Sequence, residues 1–285
     1  MLPSSEKNIV ILCNSAAGAG IAVGCAHQVE AVLSSKHILH SIYINNWPDN
    51  LASFTDVFIV GGDGTLNYFI NRYTNIQQPL VLFKGGTGND FHWLLYGTKI
   101  LEDQLQIALH ANAKPIDMGK CNGRYFINGV GIGFEGAVVK TLTGRNKLPG
   151  KTSFLFTILK KIFTYRSANY LIQCGEKAIA GRKLLVDISN GRRAGGGFHI
   201  APKAAANDGL LDVVIADALT VLKRLRYLPV IEKGKHLGLP FIHHFKTNKI
   251  SVESDEPMPY HMDGEYFEAT KIVIELVPNA VHFRY

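Results

Sequence analysis

A chain of 285 residues, 47% hydrophobic and 19% charged, has the balance of a folded globular protein long enough for two domains, which excludes an intrinsically disordered chain. Its net charge of +7 favours anionic partners, yet the cations are spread over Lys140 to Lys151, Lys160 to Arg166, Arg182 to Arg193 and Lys223 to Lys235 without aromatic interleaving, so no nucleic acid is expected among them. Cys13, Cys25, Cys121 and Cys174 are widely spaced and form no CxxC pair, which reads as reduced thiols of a cytoplasmic protein and argues against structural zinc.

The first element in chain order is Ile9-Val10-Ile11-Leu12-Cys13, a continuous apolar run that predicts a buried strand. It faintly imitates a secretory signal, but Asn14 ends it too soon, and no later run approaches the length of a membrane span. Ile38 to Ile44, Val57 to Val60 and Leu80 to Phe83 are further short apolar runs separated by helix-like segments, the pattern of a parallel sheet covered on both faces. The connection from Ile44 to Asp56 is short and has room for about one helical turn.

After Lys114-Pro115-Ile116 the runs give way to alternation, in Arg124 to Asn128, Lys183 to Ile188, Leu211 to Ile215 and Lys271 to Leu276, which predicts a mostly antiparallel β domain. The expected organisation is therefore an α/β domain over residues 1–116 and a β domain over 117–285, whose extreme C-terminus is free to return to the first. One helix interrupts the β domain from Thr152 to Tyr165. Its Phe154, Leu155, Ile158, Leu159, Ile162 and Phe163 follow helical spacing, with Lys160 and Lys161 on another face. Covering the core is its default role, and membrane contact the minority one. A second helix is predicted from Ala218 to Lys235, with Pro229 breaking or kinking it.

Two loops echo each other, Gly61-Gly62-Asp63-Gly64-Thr65 and Gly85-Gly86-Thr87-Gly88-Asn89-Asp90, each following a strand and opening a helix. That arrangement aims unpaired N–H groups and the positive end of a helix dipole beyond the sheet edge, where phosphate is the natural occupant. One isolated GDG would read as an ordinary turn; two such loops in the same context favour a ligand. A third rim loop runs from Asn14 to Gly20. None is a P-loop or a dinucleotide fingerprint. A carboxylate at Asp63 would repel phosphate unless Mg²⁺ or a transferable proton gave it work, which points to phosphoryl transfer rather than passive binding. Asn89, Asp90 and Asp117 can extend this polar set, although Asp90 serves equally well as a helix cap. His243, His244 and His261 lack metal-site spacing, and Trp47 and Trp93 read as packing residues. Asp263-Gly264 is a hairpin signal that makes Glu265 the first residue of a return strand.

Five motifs together resemble the diacylglycerol kinase catalytic-domain family, which includes bacterial lipid kinases and the sphingosine and ceramide kinases. They are Gly61 to Asn67, Gly85 to Phe91, Phe126 to Glu135, Asn207 to Asp212 and Asp263-Gly264-Glu265, in the family's order and over nearly the whole chain. The resemblance implies an N-terminal α/β domain of phosphofructokinase and NAD kinase type, a C-terminal β-sandwich, and ATP and lipid meeting in the cleft between them. By the same likeness Asn14, Gly61, Gly62, Asp63, Gly64, Thr65, Thr87 and Asn89 bind ATP, and Asp63 acts in catalysis through the metal-bound nucleotide. Asp208, with the backbone carbonyls of Ala205 and Leu210, resembles the family's Mg²⁺ loop, and Glu265 resembles its general base.

The implied activity is transfer of the γ-phosphate of ATP to a hydroxyl of a lipid such as diacylglycerol or a sphingoid or ceramide-type lipid. The protein would meet that lipid peripherally at a membrane surface, and a homodimer is compatible with this reading. The chain departs from the family at Ser15, where proline is common, at His92 and Trp93, where a small residue and arginine are usual, at Glu135, where Asp is frequent, and at Ala205, which lacks a longer side chain. Two alternatives stand beside the lipid kinase: a superfamily kinase acting on a soluble acceptor such as NAD, against which the second glycine loop argues, and a nucleotide- or lipid-binding regulator without catalysis.

Overall fold

The structure is a computed structural model that describes residues 7–143 and 151–285, with the side chains of residues 151–153 left aside. Part of the basic stretch Lys140 to Lys151 therefore lies outside the described residues. The chain divides into two compact units, Met1–Ile116 with Asn279–Tyr285, and Asp117–Pro278.

The first unit is built from β1 (Asn8–Cys13), α1 (Ile21–Ser35), β2 (Leu39–Ile44), β3 (Asp56–Gly61), α2 (Asp63–Arg72), β4 (Leu80–Lys84), α3 (Asp90–Tyr96) and α4 (Leu101–His110). Its strands run parallel in the order β2-β1-β3-β4, with Val10 opposite Val57 and Val57 opposite Leu80. Ile9 to Cys13 and Val57 to Val60 are almost wholly buried, as continuous apolar runs covered on both faces require. The terminal residues close the sheet: Phe283 pairs in parallel with Leu80, and Arg284 Nε donates to the buried Asp56 Oδ1 at 2.6 Å.

The connection from Ile44 to Asp56 forms no helix and includes a turn in which Phe54 N donates to Leu51 O at 3.0 Å, so the architecture is trimmed there as expected. Trp47 takes the place of a crossover helix, packing against Tyr68 and Phe69 and donating its indole N–H to Cys13 O at 3.1 Å.

The second unit comprises most of β5 (Ala113–Cys121), β6 (Arg124–Phe126), β7 (Gly129–Gly133), α5 (Phe134–Leu142), α6 (Lys151–Thr164), β8 (Ala168–Cys174), β9 (Lys177–Ser189), β10 (Leu211–Asp217), α7 (Val221–Glu232), β11 (Ile242–Thr247), β12 (Lys249–Met262) and β13 (Glu265–Arg284) up to Pro278. These strands pair antiparallel in the order β11-β10-β9-β7-β12-β13. The long strands β9 and β12 serve two neighbourhoods. Their outer halves pair with β8 and their inner halves with β7, and β12 shifts register between Glu253 and Met258, a bulge of the kind that bends a strand. Phe126, Val130, Ile132, Val186, Ile188 and Val213 lie in one buried core.

Among the described residues three helices, not two, interrupt these strands. α5 was hidden behind the glycine-rich Gly129 to Gly133, and it buries Ala137 and Val138. α7 passes through Pro229 and ends three residues later at Glu232, because a proline in the last turn removes only a rung near the helix end. Arg224 on α7 donates to the carbonyls of Ile162 and Tyr165, satisfying the C-terminal end of α6.

Candidate active site

The candidate residues fall in both units, and each set is built by its own elements. In the first unit β3 delivers the chain to Gly61, and α2 starts at Asp63. The first helical rung runs from Leu66 N to Gly62 O at 3.1 Å, so the amides of Asp63, Gly64 and Thr65 precede any intrahelical acceptor. Thr65 is buried and its Oγ1 accepts Asn14 Nδ2 at 3.1 Å, which ties the first rim loop to the start of α2. A Cβ on Gly62 would stand 2.8 Å from Gly86 Cα, and one on Gly86 2.5 Å from Gly62 Cα. The two glycine loops therefore touch backbone to backbone, an approach no larger residue allows. Beyond Gly64 there is open space, and Gly64 and Thr87 are both exposed.

Asp63 and Asn89 hold this arrangement together. Asp63 Oδ1 accepts Phe91 N at 2.9 Å and Oδ2 accepts Asp90 N at 3.1 Å, so the side chain that opens α2 also caps α3. Asn89 has left-handed backbone (φ 52°). Its side chain grips Gly86 at both ends, Oδ1 accepting Gly86 N at 2.9 Å and Nδ2 donating to Gly86 O at 2.6 Å. With its amide turned onto its own loop, Asn89 fixes the shape of that loop, on which Thr87 is exposed. Asp90 is buried as the first residue of α3. His92 is a core residue, its Nε2 on Gln104 Oε1 at 3.1 Å and its ring 5.0 Å from Tyr96. Burial holds its pKa below the usual value.

The loops fit a nucleotide's phosphates: the first-turn amides at the N-terminus of α2 have no intrahelical acceptor, and the exposed Gly64 borders open space. Each Asp63 oxygen, already accepting one N–H, keeps a lone pair that a cation could use.

In the second unit Glu265 opens β13 directly after the turn at Asp263 (φ 48°) and Gly264 (φ 85°), as the hairpin signal predicts. It is exposed, and its Oε2 accepts Arg124 Nη2 at 2.9 Å. Arg124, expected only as part of an alternating strand, is brought there by the β5–β6 hairpin. Asn122 in that hairpin's turn docks on β13, accepting Val273 N at 2.9 Å and donating to Lys271 O at 3.0 Å. Asp263, expected as a turn residue, has a second role that its turn signal masks. Its carboxylate is buried and accepts the amides of Ile127, Asn128 and Gly129, each at 2.9 Å, fixing the hairpin that carries Glu265.

The loop from Ala205 to Leu210 is held from within. Asp117, buried, gives its N–H to Ala206 O at 2.7 Å and accepts Gly209 N on Oδ2 at 2.8 Å. Asp208 Oδ1 accepts Leu210 N at 3.1 Å, while Oδ2 lies 2.6 Å from Lys246 Nζ. That ammonium also lies 3.3 Å from the buried Asp212, and the hydrogen bond to Asp208 raises its pKa. Lys246 reaches this position because it stands opposite Asp212 on the β10–β11 ladder. A divalent ion on Asp208 would share one carboxylate with an ammonium, so the Ala205, Asp208 and Leu210 set does not fit Mg²⁺ as it stands. Among the described residues no group of three or more His, Cys, Asp or Glu is arranged to hold a metal. His243, His244 and His261 instead pair with Asp217, Asp212 and Glu135.

Residues 8–121 match the sequence profile of the diacylglycerol kinase catalytic domain, and residues 128–284 that of the YegS C-terminal NAD kinase beta sandwich-like domain. A Shewanella frigidimarina protein named "Probable lipid kinase YegS-like" is 29% identical over 235 residues, 80% of this chain and 75% of its own. The diacylglycerol kinase of Bacillus subtilis is 28% identical over 222 residues, 76% of this chain and 73% of its own. Among solved structures, a diacylglycerol kinase from Bacillus anthracis superposes with a TM-score of 0.72 at 20% identity, covering 98% of this chain and 97% of that one. An NAD kinase from Archaeoglobus fulgidus in complex with ATP does so with a TM-score of 0.57 at 11% identity, covering 98% and 93%. At those identities the likeness is one of fold.

Proposed function

The chain belongs to the diacylglycerol kinase catalytic-domain family of lipid kinases, and from that premise we infer that it moves the γ-phosphoryl group of ATP to a hydroxyl of a diacylglycerol-type or sphingoid or ceramide-type lipid. The observation that carries this reading is the interlocked pair of glycine loops, in which Gly62 and Gly86 meet and Asp63 stands at an open helix N-terminus.

When bound, Mg-ATP supplies the activated phosphoryl group; the residues of this chain position it. The unpaired first-turn amides of α2 and the Thr87 hydroxyl would receive phosphate oxygens, and Asp63 is the carboxylate that would hold the nucleotide's metal. An alcohol is a weak nucleophile until a placed carboxylate takes its proton, and Glu265 is the group assigned to that step. Arg124 fixes one Glu265 oxygen and so orients the other; it is a positioning residue. The 205–210 loop enters no step, because Lys246 answers Asp208 there. A cytoplasmic protein meeting its lipid peripherally is the setting this activity requires, and among the described residues no helix is long and apolar enough to cross a membrane.

The test is acceptor choice: γ-labelled ATP with diacylglycerol, sphingoid, ceramide and polyprenol acceptors, and with NAD as the soluble control. Label in a lipid product supports the reading. Label only in NAD, or ATP binding without transfer, contradicts it.

A further inference from the structure

We propose that the outer faces of α6 and α7 form the surface by which this protein docks on an anionic lipid bilayer. The inner face of α6 is used up within its own unit: Ile158 and Ile162 pack with Val138, Val221, Leu225 and Leu228. Its outer face is apolar too. Leu155, Leu159 and Phe163 recur at every fourth residue, and Phe156 stands two turns before Phe163. All four are exposed, Phe156 at 71% and Phe163 at 63%, and on α7 Leu222 is exposed at 79%. Water-facing phenylalanines in this concentration mark an interaction face.

The charges beside them say what covers it. Lys160 and Lys161 lie on α6, and Lys223 and Arg226 on α7. The sequence of α6 contains no Asp or Glu, and α7 carries only Glu232, at its far end. An apolar strip edged by cations suits an interface of acyl chains and acidic headgroups. A second copy would bring the same cations against these, which disfavours it. α6 has 14 residues, about 21 Å at 1.5 Å per residue, so it lies on the bilayer and does not cross it.

The docking face rests on the lipid-kinase reading for its purpose but is measured without it. Wild type, Phe156→Glu/Phe163→Glu and Lys160→Glu/Lys223→Glu proteins are sedimented with vesicles of phosphatidylcholine alone or mixed with phosphatidylglycerol. Each is run at about 0.1 M and about 1 M salt, between which the screening length falls from roughly 10 Å to 3 Å. The wild type should favour the anionic vesicles and weaken in high salt. The phenylalanine variant should lose about tenfold or more in partition, and the lysine variant most of its salt dependence.

All four positions are exposed, so thermal unfolding should be unchanged. Equal binding to both vesicles, or an unaltered phenylalanine variant, overturns the proposal. So does a wild-type dimer in light scattering that the phenylalanine substitutions dissociate. With a short-chain, monomeric lipid the phenylalanine variant should turn over like wild type. Absence of turnover in every protein would refute the kinase reading and leave the vesicle result to decide the docking face.

Discussion

Asp63 Oδ1 accepts the backbone N–H of Phe91 at 2.9 Å, so the residue that opens one glycine-loop helix also caps the next. The same carboxylate therefore has two separable duties, and two substitutions separate them. Asp63→Asn keeps an acceptor for α3 and removes the negative charge, whereas Asp63→Ala removes both. Both should abolish phosphoryl transfer. Asp63→Ala should also lower unfolding stability by about 1–2 kcal/mol, with Asp63→Asn losing distinctly less. Urea unfolding of the three proteins beside a kinase assay checks it. Equal destabilisation by both variants would remove the capping role.

The Lys246–Asp208 pair makes a prediction about magnesium. Without nucleotide, the wild type should show the same thermal midpoint with Mg²⁺ or with a chelator, since an ammonium already occupies the Asp208 carboxylate. Lys246→Met leaves Asp208 and the buried Asp212 without their cation. A loss of roughly 1–3 kcal/mol is expected, discounted because the lysine is partly exposed, with part of it restored by Mg²⁺. A wild type stabilised by Mg²⁺ alone would mean that the ion displaces Lys246.

Asp263 gathers three backbone amides in the hairpin that presents Glu265. Asp263→Ala strands those buried donors and should lower stability by about 3 kcal/mol, far more than a loop substitution ordinarily does. Chemical denaturation gives the number; a loss below about 0.5 kcal/mol would contradict the anchoring role.

Two buried histidines set a pH dependence. Burial lowers the pKa of His92 and of His236, whose Nε2 lies 2.9 Å from Ile200 O, below the ordinary 6.5. The unfolded chain thus takes up protons near pH 6.5 that the native chain refuses. The contribution of these residues is intact above that pH and lost as pH falls below it, by up to about 1.4 kcal/mol per pH unit per proton. His92→Phe should therefore lose its stability deficit against wild type between about pH 7.5 and pH 5.5, as followed by urea midpoints. A deficit constant with pH would contradict this.

The parallel sheet was legible because burial on both faces leaves continuous apolar runs, and the Asp263-Gly264 turn because left-handed backbone restricts residue choice. What escaped the sequence depends on pairing at a distance. Lys246 meets Asp208 across 38 positions only through the register of β10 on β11, and Arg124 meets Glu265 across 141. Local pattern holds no trace of either. α5 was lost for another reason: it begins directly after the glycine-rich strand β7, so the helix start lacks a visible break. The charge of Asp63 is visible in the sequence, while its bonds to α3 arise only once the two glycine loops are in contact.

In the proposed reaction a hydroxyl-bearing lipid receives phosphate with Glu265 as base. The most direct measurement is label from γ-labelled ATP recovered in extracted lipid, comparing wild type with Glu265→Gln. The glutamine keeps the shape and a hydrogen bond to Arg124 but cannot take the proton. Labelled lipid is expected from the wild type, with a rate lower by about 10²- to 10⁴-fold in Glu265→Gln at unchanged thermal stability. Undiminished transfer by Glu265→Gln, or no labelled lipid from the wild type with any acceptor, would contradict it.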